Sequence, residues 1–374
     1  MTRLVIDARL TGHSGIGVYL EHMLPRIVDR LVAWHPVVLA RTAMCADLVS
    51  RVGAGADVVA WDLPPLGIPN LWGAPPAVGT GDLLWTPHFN VPLSGSTPLA
   101  VTLHDVLPLA APRLAGRGRS LPLRLWLRAI RARARVVFCV SDFTRREVMA
   151  QGGVGASRVL VTPLGVDRLW FGDESPVPHR PGESDAARPT IVFVGLLKPH
   201  KNAVRLLQAF DRVKPLIPHR LVLVARHERL RNVDREAMSL VRTLGDRVEL
   251  VSDLSLVDLI AHIRSAQFVA LPSLYEGFGL PALEAMAAGT PVLAARAGAM
   301  PEVCGDAAVY CDPLSVDDIA HGLVLLAREP ALRARLAAAG RARATAFTWD
   351  HCAATTAEAL ETELGGLRAG AARC

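Results

Sequence analysis

The sequence predicts an α/β chain of two doubly wound, Rossmann-like domains facing a central cleft. Three observations lead there. Short apolar strands alternate with helical segments from Leu4 to Val161. The alternation restarts at Ile191 and continues to Tyr310. Between the two series, Gly172 to Pro189 is rich in proline, glycine, serine and charge, which is linker composition. Alternating strands and helices give parallel sheets covered on both faces. Ligands then bind beyond the carboxyl ends of the strands. The expected division is a first domain over 1–170, a linker over 171–189, a second domain over 190–348 and a C-terminal helix over 349–374.

Each element has a local reason. Leu4-Val5-Ile6 is a short apolar run, followed by a glycine loop and a helix over Val18 to Leu31. Pro36 to Leu39, Leu83 to Trp85, Leu99 to Leu103, Val136 to Val140 and Val159 to Val161 are further apolar runs of strand length. A helix over Ser120 to Ala134 sits among them. The second series is Ile191 to Val194, Leu221 to Val224, Val248 to Val251, Phe268 to Leu271, Val292 to Ala295 and Val309-Tyr310.

With 374 residues, 51% of them hydrophobic, the chain can bury two cores. No apolar run reaches the roughly 18 residues of a membrane span. Met1 to Asp7 reads as a strand carrying a charge, not as a signal peptide. Six cysteines (Cys45, Cys139, Cys304, Cys311, Cys352, Cys374) are scattered without a C-x-x-C pair. They read as reduced cytosolic thiols rather than a disulfide frame or zinc site.

The net charge of +6 is unevenly spread. Val106 to Ser141 contains no acidic residue, yet holds Arg113, Arg117, Arg119, Arg124, Arg128, Arg131, Arg133 and Arg135. Arg124, Arg128, Arg131 and Arg135 follow helical spacing beside an apolar stripe of Leu123, Trp126, Leu127 and Ile130. Such a helix suits an anionic membrane surface. The competing reading is an ordinary surface helix with its stripe in the core. Nucleic acid is not expected, because the patch lacks interleaved aromatics and no nucleic-acid module is present.

The most informative segment runs from Tyr275 to Glu284, where Glu276 and Glu284 stand eight residues apart. A buried strand precedes it and a helix over Ala282 to Ala288 follows, with Pro281 at the first helical position. Gly277 and Gly279 let the backbone approach a ligand. A strand, a glycine loop and a helix N-terminus form an anion site. Glu284, in the first helical turn, would repel a phosphate, so sugar hydroxyls are its expected partners. The second series opens similarly, with Val194-Gly195 leading to Lys198 and Lys201. Only three lysines stand against thirty-eight arginines, and two of the three fall here. A compact point charge suits a diphosphate. In the first series, Gly12 to Tyr19 forms a glycine-rich loop before a helix, in an order unlike the dinucleotide fingerprint. His104-Asp105 and, less strongly, His88 and Asn90 lie at strand ends. There His104 is expected to donate to a sugar hydroxyl, with Asp105 orienting it. No G-x-S-x-G, Walker A, H-E-x-x-H or D-x-D signature is present.

These segments resemble the retaining glycosyltransferases of family 4, which have the GT-B fold. The resemblance rests on Gly12 to Tyr19, Thr102 to Asp105, Val194-Gly195 with Lys201-Asn202, and Ser273 to Gly289. Val140 to Thr144 and Pro163 to Asp167 add to it. It implies that Glu276 holds donor-sugar hydroxyls, helped by the backbone at Gly277, Phe278, Gly279 and Leu280. It implies that Glu284 holds the ribose diol and Lys201, with Lys198, the diphosphate. His104, Glu276 and Lys201 become the catalytic set. Gly15 and Gly17 close over the donor, and Gly12, Tyr19, His88, Asn90 and Asp105 face the acceptor. Leu196 departs from the family, which often carries arginine there. The resemblance further implies no metal or other cofactor, and retention of configuration. The expected activity is transfer of a hexose, mannose or glucose, from a nucleotide sugar to a lipid-linked or glycan acceptor. The expected setting is cell-surface polysaccharide synthesis, in the cytoplasm at the inner face of the membrane. A nucleotide-sugar epimerase and a non-catalytic nucleotide- or glycan-binding protein remain as alternatives.

Overall fold

The computed structural model describes residues 2–12, 15–63, 77–79, 81–116, 118, 120–172, 188–225 and 234–372. His13, Ser14, Arg117, Arg119, Cys374 and residues 173–187 of the expected linker lie outside them. The chain divides into two compact units. The first is Met1–Gly165 with Thr348–Cys374, and the second is Val166–Phe347.

The first unit carries seven parallel strands. They are β1 (Leu4–Asp7), β2 (Val37–Ala40), β3 (Asp57–Ala60), β4 (Leu83–Thr86), β5 (Leu99–Leu103), β6 (Ala134–Cys139) and β7 (Val159–Val161), in the order β3-β2-β1-β4-β5-β6-β7. The second carries six, also parallel. They are β8 (Thr190–Val194), β9 (Arg220–Ala225), β10 (Val248–Ser252), β11 (Phe268–Leu271), β12 (Val292–Ala295) and β13 (Ala308–Cys311), in the order β10-β9-β8-β11-β12-β13. These are the two doubly wound sheets that the alternation predicted. Every residue of β4, β5, β11 and β12 is buried, as expected of parallel strands covered on both faces. The strand order reverses between β1 and β4 in one sheet and between β8 and β11 in the other. Open α/β sheets bind ligands at such switch points.

One strand has no counterpart in the sequence reading. β3 lies at the sheet edge and is half exposed, so Asp57-Val58-Val59-Ala60 never forms an apolar run long enough to stand out.

The helices follow amphipathic logic. In the Ala203–Val213 helix, Ala203, Leu206, Leu207, Phe210 and Val213 are buried, the i, i+3, i+4, i+7 pattern of a core-facing stripe. They join Phe193, Leu223 and Phe268 in the core of the second unit. Each Leu or Phe buried this way contributes roughly 1.5–3 kcal/mol. The Trp349–Ala371 helix packs against the Ile16–Arg30 helix of the first unit. Trp349 stacks on the His22 ring at 4.7 Å, and Arg26 pairs with Asp350 at 2.9 Å. Gly165 lets the chain pass here, since a Cβ would lie 2.1 Å from the Trp349 amide nitrogen.

The basic helix spans Ser120–Arg133, and its apolar stripe faces inward: Leu123, Leu127 and Ile130 are buried in the core of the first unit. Those residues are therefore unavailable to a lipid surface. The exposed apolar side chains are instead Leu121 (67% exposed) and Leu125 (49%), beside the exposed Arg124 and Arg128. Cys45, Cys139, Cys304, Cys311 and Cys352 are free thiols. Among the described residues, no helix is long and apolar enough to cross a membrane.

Candidate active site

Two strand ends meet at the switch point of the second sheet. After β8 the chain turns through Gly195 to a short 3-10 helix, Pro199–Lys201. After β11 it enters the Ser273–Gly279 loop and then the Leu280–Ala287 helix. Asn202 fastens these two segments. It adopts a left-handed conformation (φ 62°), which asparagine tolerates better than most residues. Its buried amide donates to the carbonyls of Pro272 (2.9 Å) and Pro313 (2.7 Å). The Leu274 amide donates back to the His200 carbonyl at 2.8 Å.

This clamp sets Lys201 against Glu276. Lys201 Nζ donates to Glu276 Oε1 at 2.6 Å, and Ser273 Oγ donates to the same oxygen at 2.8 Å. The Lys201 and Glu276 side chains are 16% and 14% exposed, a mostly buried pair. Glu276 Oε2 has no partner among the described residues and is open to a ligand hydroxyl. Lys201 keeps two further N–H donors for an anion. His200, beside the two lysines, is pushed down to about 4, chiefly by burial and then by Lys201, so it is neutral at pH 7.

The Leu280–Ala287 helix starts from Gly279 (φ 98°), which supplies no side-chain cap. Its first amides have no intrahelical acceptor and carry the positive end of the helix dipole. Leu280 opens the helix, and Pro281 is second rather than first. Glu284 consequently stands in the second turn, not the first. Burial pushes its carboxyl up to about 8.

A second cluster lies at the strand ends of the first unit. His104 follows β5, and a hydrogen bond to the Pro87 carbonyl holds its ring. Among the described residues its buried Nε2 has no partner, so Nδ1 carries the proton that Pro87 accepts. Burial lowers its pKa to about 4, and the ring is neutral. This corrects the expected role. With Nδ1–H engaged, Nε2 is an acceptor with no proton to donate. Asp105 Oδ1 accepts from the Leu107 amide at 3.0 Å, capping the next turn. Among the described residues, His88 Nδ1 and both amide atoms of Asn90 are likewise buried and unpartnered. Burial and the nearby His104 lower His88 to about 3.

Tyr19 requires a correction too. It has no exposed surface, so it is not an acceptor contact. Its hydroxyl lies 3.3 Å from Thr102 Oγ1, and its ring meets His104 edge to face at 5.0 Å. It stands behind His104 and fixes the imidazole. Gly12 (φ 80°) and Gly15 (φ 75°) turn the preceding loop, and a Cβ on Gly17 would come 3.2 Å from the Gly12 nitrogen.

The profile for "Glycosyl transferases group 1" matches residues 178–343, and that for "Glycosyltransferase Family 4" matches residues 81–168. The chain is 33% identical over 287 residues to an MMP alpha-(1->4)-mannosyltransferase of Mycolicibacterium hassiacum, covering 73% of this chain and 67% of that protein.

The chain belongs to the family 4 glycosyltransferases.

It is also 28% identical over 271 residues to the O-antigen chain mannosyltransferase B of Escherichia coli, covering 70% of this chain and 69% of the relative. The GT-B fold is shared with Anabaena HepE, solved in complex with UDP and glucose: TM-score 0.73, 19% identity, 97% of this chain and 100% of that one.

Three residues of this glycosyltransferase had no role in the sequence reading. Ser273 sits inside the recognised segment, but only the fold aims its hydroxyl at Glu276. Asn202 reads as a helix start, and its clamp depends on two distant prolines. Gly298 lies far along the chain, where no periodicity marks it. A Cβ there would fall 2.6 Å from the Glu276 carbonyl oxygen and 2.7 Å from its nitrogen, at φ 60°. The next amide, Ala299, donates to that carbonyl at 3.0 Å. Gly298→Ala is expected to displace the Glu276 loop and cost about 1–3 kcal/mol of stability. Thermal melts and nucleotide titrations check this. Unchanged values in both would remove Gly298 as the floor of the loop.

Proposed function

We propose that this glycosyltransferase moves a hexose from a nucleotide diphosphate sugar to a lipid-linked or glycan acceptor in cell-surface polysaccharide synthesis. The observation that carries the donor reading is the Lys201–Glu276–Ser273 group beside the uncapped Leu280–Ala287 helix, at the switch point of its sheet. Negative charge grows on the leaving diphosphate as the glycosidic bond breaks. Lys201 and the helix amides, with Lys198 nearby, stabilise it where it forms. Glu276 Oε2 accepts sugar hydroxyls, Glu284 accepts the ribose diol, and His104 Nε2 accepts from the transferred sugar. Mannose is favoured over glucose, because both relatives named above are mannosyltransferases.

The transfer retains anomeric configuration by front-face attack, the leaving phosphate taking the acceptor proton. This follows the family pattern and agrees with Glu276 being tied to Lys201 and Ser273. The proposed reaction needs no divalent metal, as the family pattern implies. The test is incubation with GDP-mannose or UDP-glucose, a mannoside acceptor and EDTA, with the product followed by NMR. An α-linked product in EDTA supports the full reading. A β-linked product rejects retention, a requirement for added metal rejects metal independence, and epimerised donor without transfer rejects the enzyme class.

The protein works at the inner face of the membrane, docked through the Ser120–Arg133 helix. Leu121 and Leu125 would enter the headgroup region while Arg124 and Arg128 pair with anionic lipid. Each arginine is worth about 1 kcal/mol near such a surface. Replacing Arg124, Arg128 and Arg131 with glutamate is expected to weaken binding to phosphatidylglycerol vesicles by at least about a hundredfold. Retention on those vesicles at wild-type strength would reject this helix as the anchor.

A further inference from the structure

The Lys198–Lys201 turn holds a third ionisable side chain, His200, to which nothing above gives a role. The turn is tightly wound. The Lys198 amide donates to the Leu196 carbonyl at 2.7 Å, and the Lys201 amide donates to the Lys198 carbonyl at 2.9 Å. The His200 carbonyl accepts from the Leu274 amide at 2.8 Å, which ties this residue to the loop that carries Glu276. The imidazole is partly buried there. Among the described residues its charged neighbours are Lys201 and Lys198 on its own turn and Glu276 on the loop after β11.

The balance of those charges decides the state of the ring. Two cations face one carboxylate, and that carboxylate is already paired with Lys201 at 2.6 Å. Burial, with the two lysines, holds the free imidazole neutral by lowering it to about 4. A nucleotide diphosphate reverses the balance. It brings two negative charges to Lys201 and to the first amides of the Leu280–Ala287 helix. The local sum of charge then turns from positive to negative, which favours the charged form of the ring. One unit charge at ~6 Å, with an effective dielectric constant of ~20, moves a titration midpoint by roughly two pH units.

We infer that His200 takes up a proton from solvent when a nucleotide diphosphate binds, and becomes the third cation around it with Lys198 and Lys201. The inference rests on the transferase reading and adds a residue to its donor site. The proton stays on the ring and passes neither to the sugar nor to the acceptor. Its effect is to place positive charge beside the leaving diphosphate only while that group is present.

The test is NMR of the full chain with labelled histidine rings, titrated between pH 5 and pH 8 without ligand and with saturating GDP-mannose or UDP-glucose. Neither sugar nucleotide has a phosphate that titrates in this range. The His200 resonance is identified by its loss in His200→Gln. Without ligand the ring is expected to stay neutral down to pH 5. With the donor bound its midpoint is expected near pH ~6. Affinity gives a second readout. The ratio of variant to wild-type dissociation constants should be about tenfold larger at pH 5 than at pH 7.5. Taking the ratio at each pH removes the contribution of Glu284, which both proteins share. A ring that stays neutral to pH 5 with donor bound would overturn the inference and leave the transferase reading intact. So would a ratio that is the same at both pH values. Failure of every sugar nucleotide to bind the wild type would overturn both.

Discussion

Lys201→Met is expected to lower the rate of sugar transfer by about 10²–10³-fold, the usual cost of removing one group that stabilises leaving-group charge. The substitution keeps the length of the side chain and removes the cation facing Glu276 Oε1 at 2.6 Å. It also leaves the mostly buried Glu276 carboxylate with Ser273 as its remaining partner, so stability falls by about 1–3 kcal/mol. The double variant Lys201→Met/Glu276→Gln separates the two effects. Its melting temperature should return toward that of the wild type, because the unpaired charge is gone, while transfer stays lost. Recovery of transfer along with stability would show that Lys201 serves the fold and not the leaving group.

Glu284→Gln is expected to stabilise the protein at alkaline pH while weakening nucleotide binding. Burial raises this carboxyl from 4.5 to about 8. A raised folded pKa means that the neutral form is the one the fold accepts. The stability it confers is fully present below pH 4.5 and is lost as pH climbs through 8. A tenfold change in proton affinity is worth about 1.4 kcal/mol, so the wild type should lose on the order of 2–4 kcal/mol across that window relative to the glutamine variant. In a unit of this size that is a melting-point gap of roughly 5–10 °C at pH 8, closing toward pH 5. Ligand binding should run the other way. The ribose diol donates two hydrogen bonds to the ionised form, so wild-type nucleotide affinity rises from pH 6 to pH 8, and that of Glu284→Gln does not. A pH-independent gap in melting temperature would place Glu284 in solvent. Equal nucleotide affinity at every pH would deny it the ribose.

The sheets were legible because buried parallel strands leave continuous apolar runs. Phe268–Leu271 and Val292–Ala295 begin and end where expected. The edge strand Asp57–Ala60 was not, because a half-exposed strand needs only intermittent apolar side chains. The Ser120–Arg133 helix shows a different gap. Its periodicity identified the helix and its arginines, but a stripe pattern reads the same whether it faces a core or a membrane, and Leu123, Leu127 and Ile130 face the core. In the candidate site, residues adjacent in sequence were legible and residues adjacent only in space were not. Glu276 and Lys201 stand in loops whose glycines and strand ends announce them. Gly298 approaches Glu276 from another strand end, and Asn202 reaches Pro272 and Pro313, contacts that no local spacing encodes. His104 stands at the strand end as expected, but the proton on its Nδ1 is donated to the Pro87 carbonyl, a contact no local spacing encodes.

The chain leaves the first unit at Gly165 and returns to it at Thr348, after the whole second unit has been made. The second unit is therefore nested within the first in synthesis order. During translation it can complete its core while the first still lacks Trp349, the ring that stacks on His22 and touches Tyr19. Domains generally fold as they emerge from the ribosome, earliest first. Here the earliest residues wait longest for their last partner, and the histidine that Tyr19 supports is not fully braced until residues 348–371 have arrived. A nascent chain stalled before Thr348 would carry a finished second unit and an unfinished first unit.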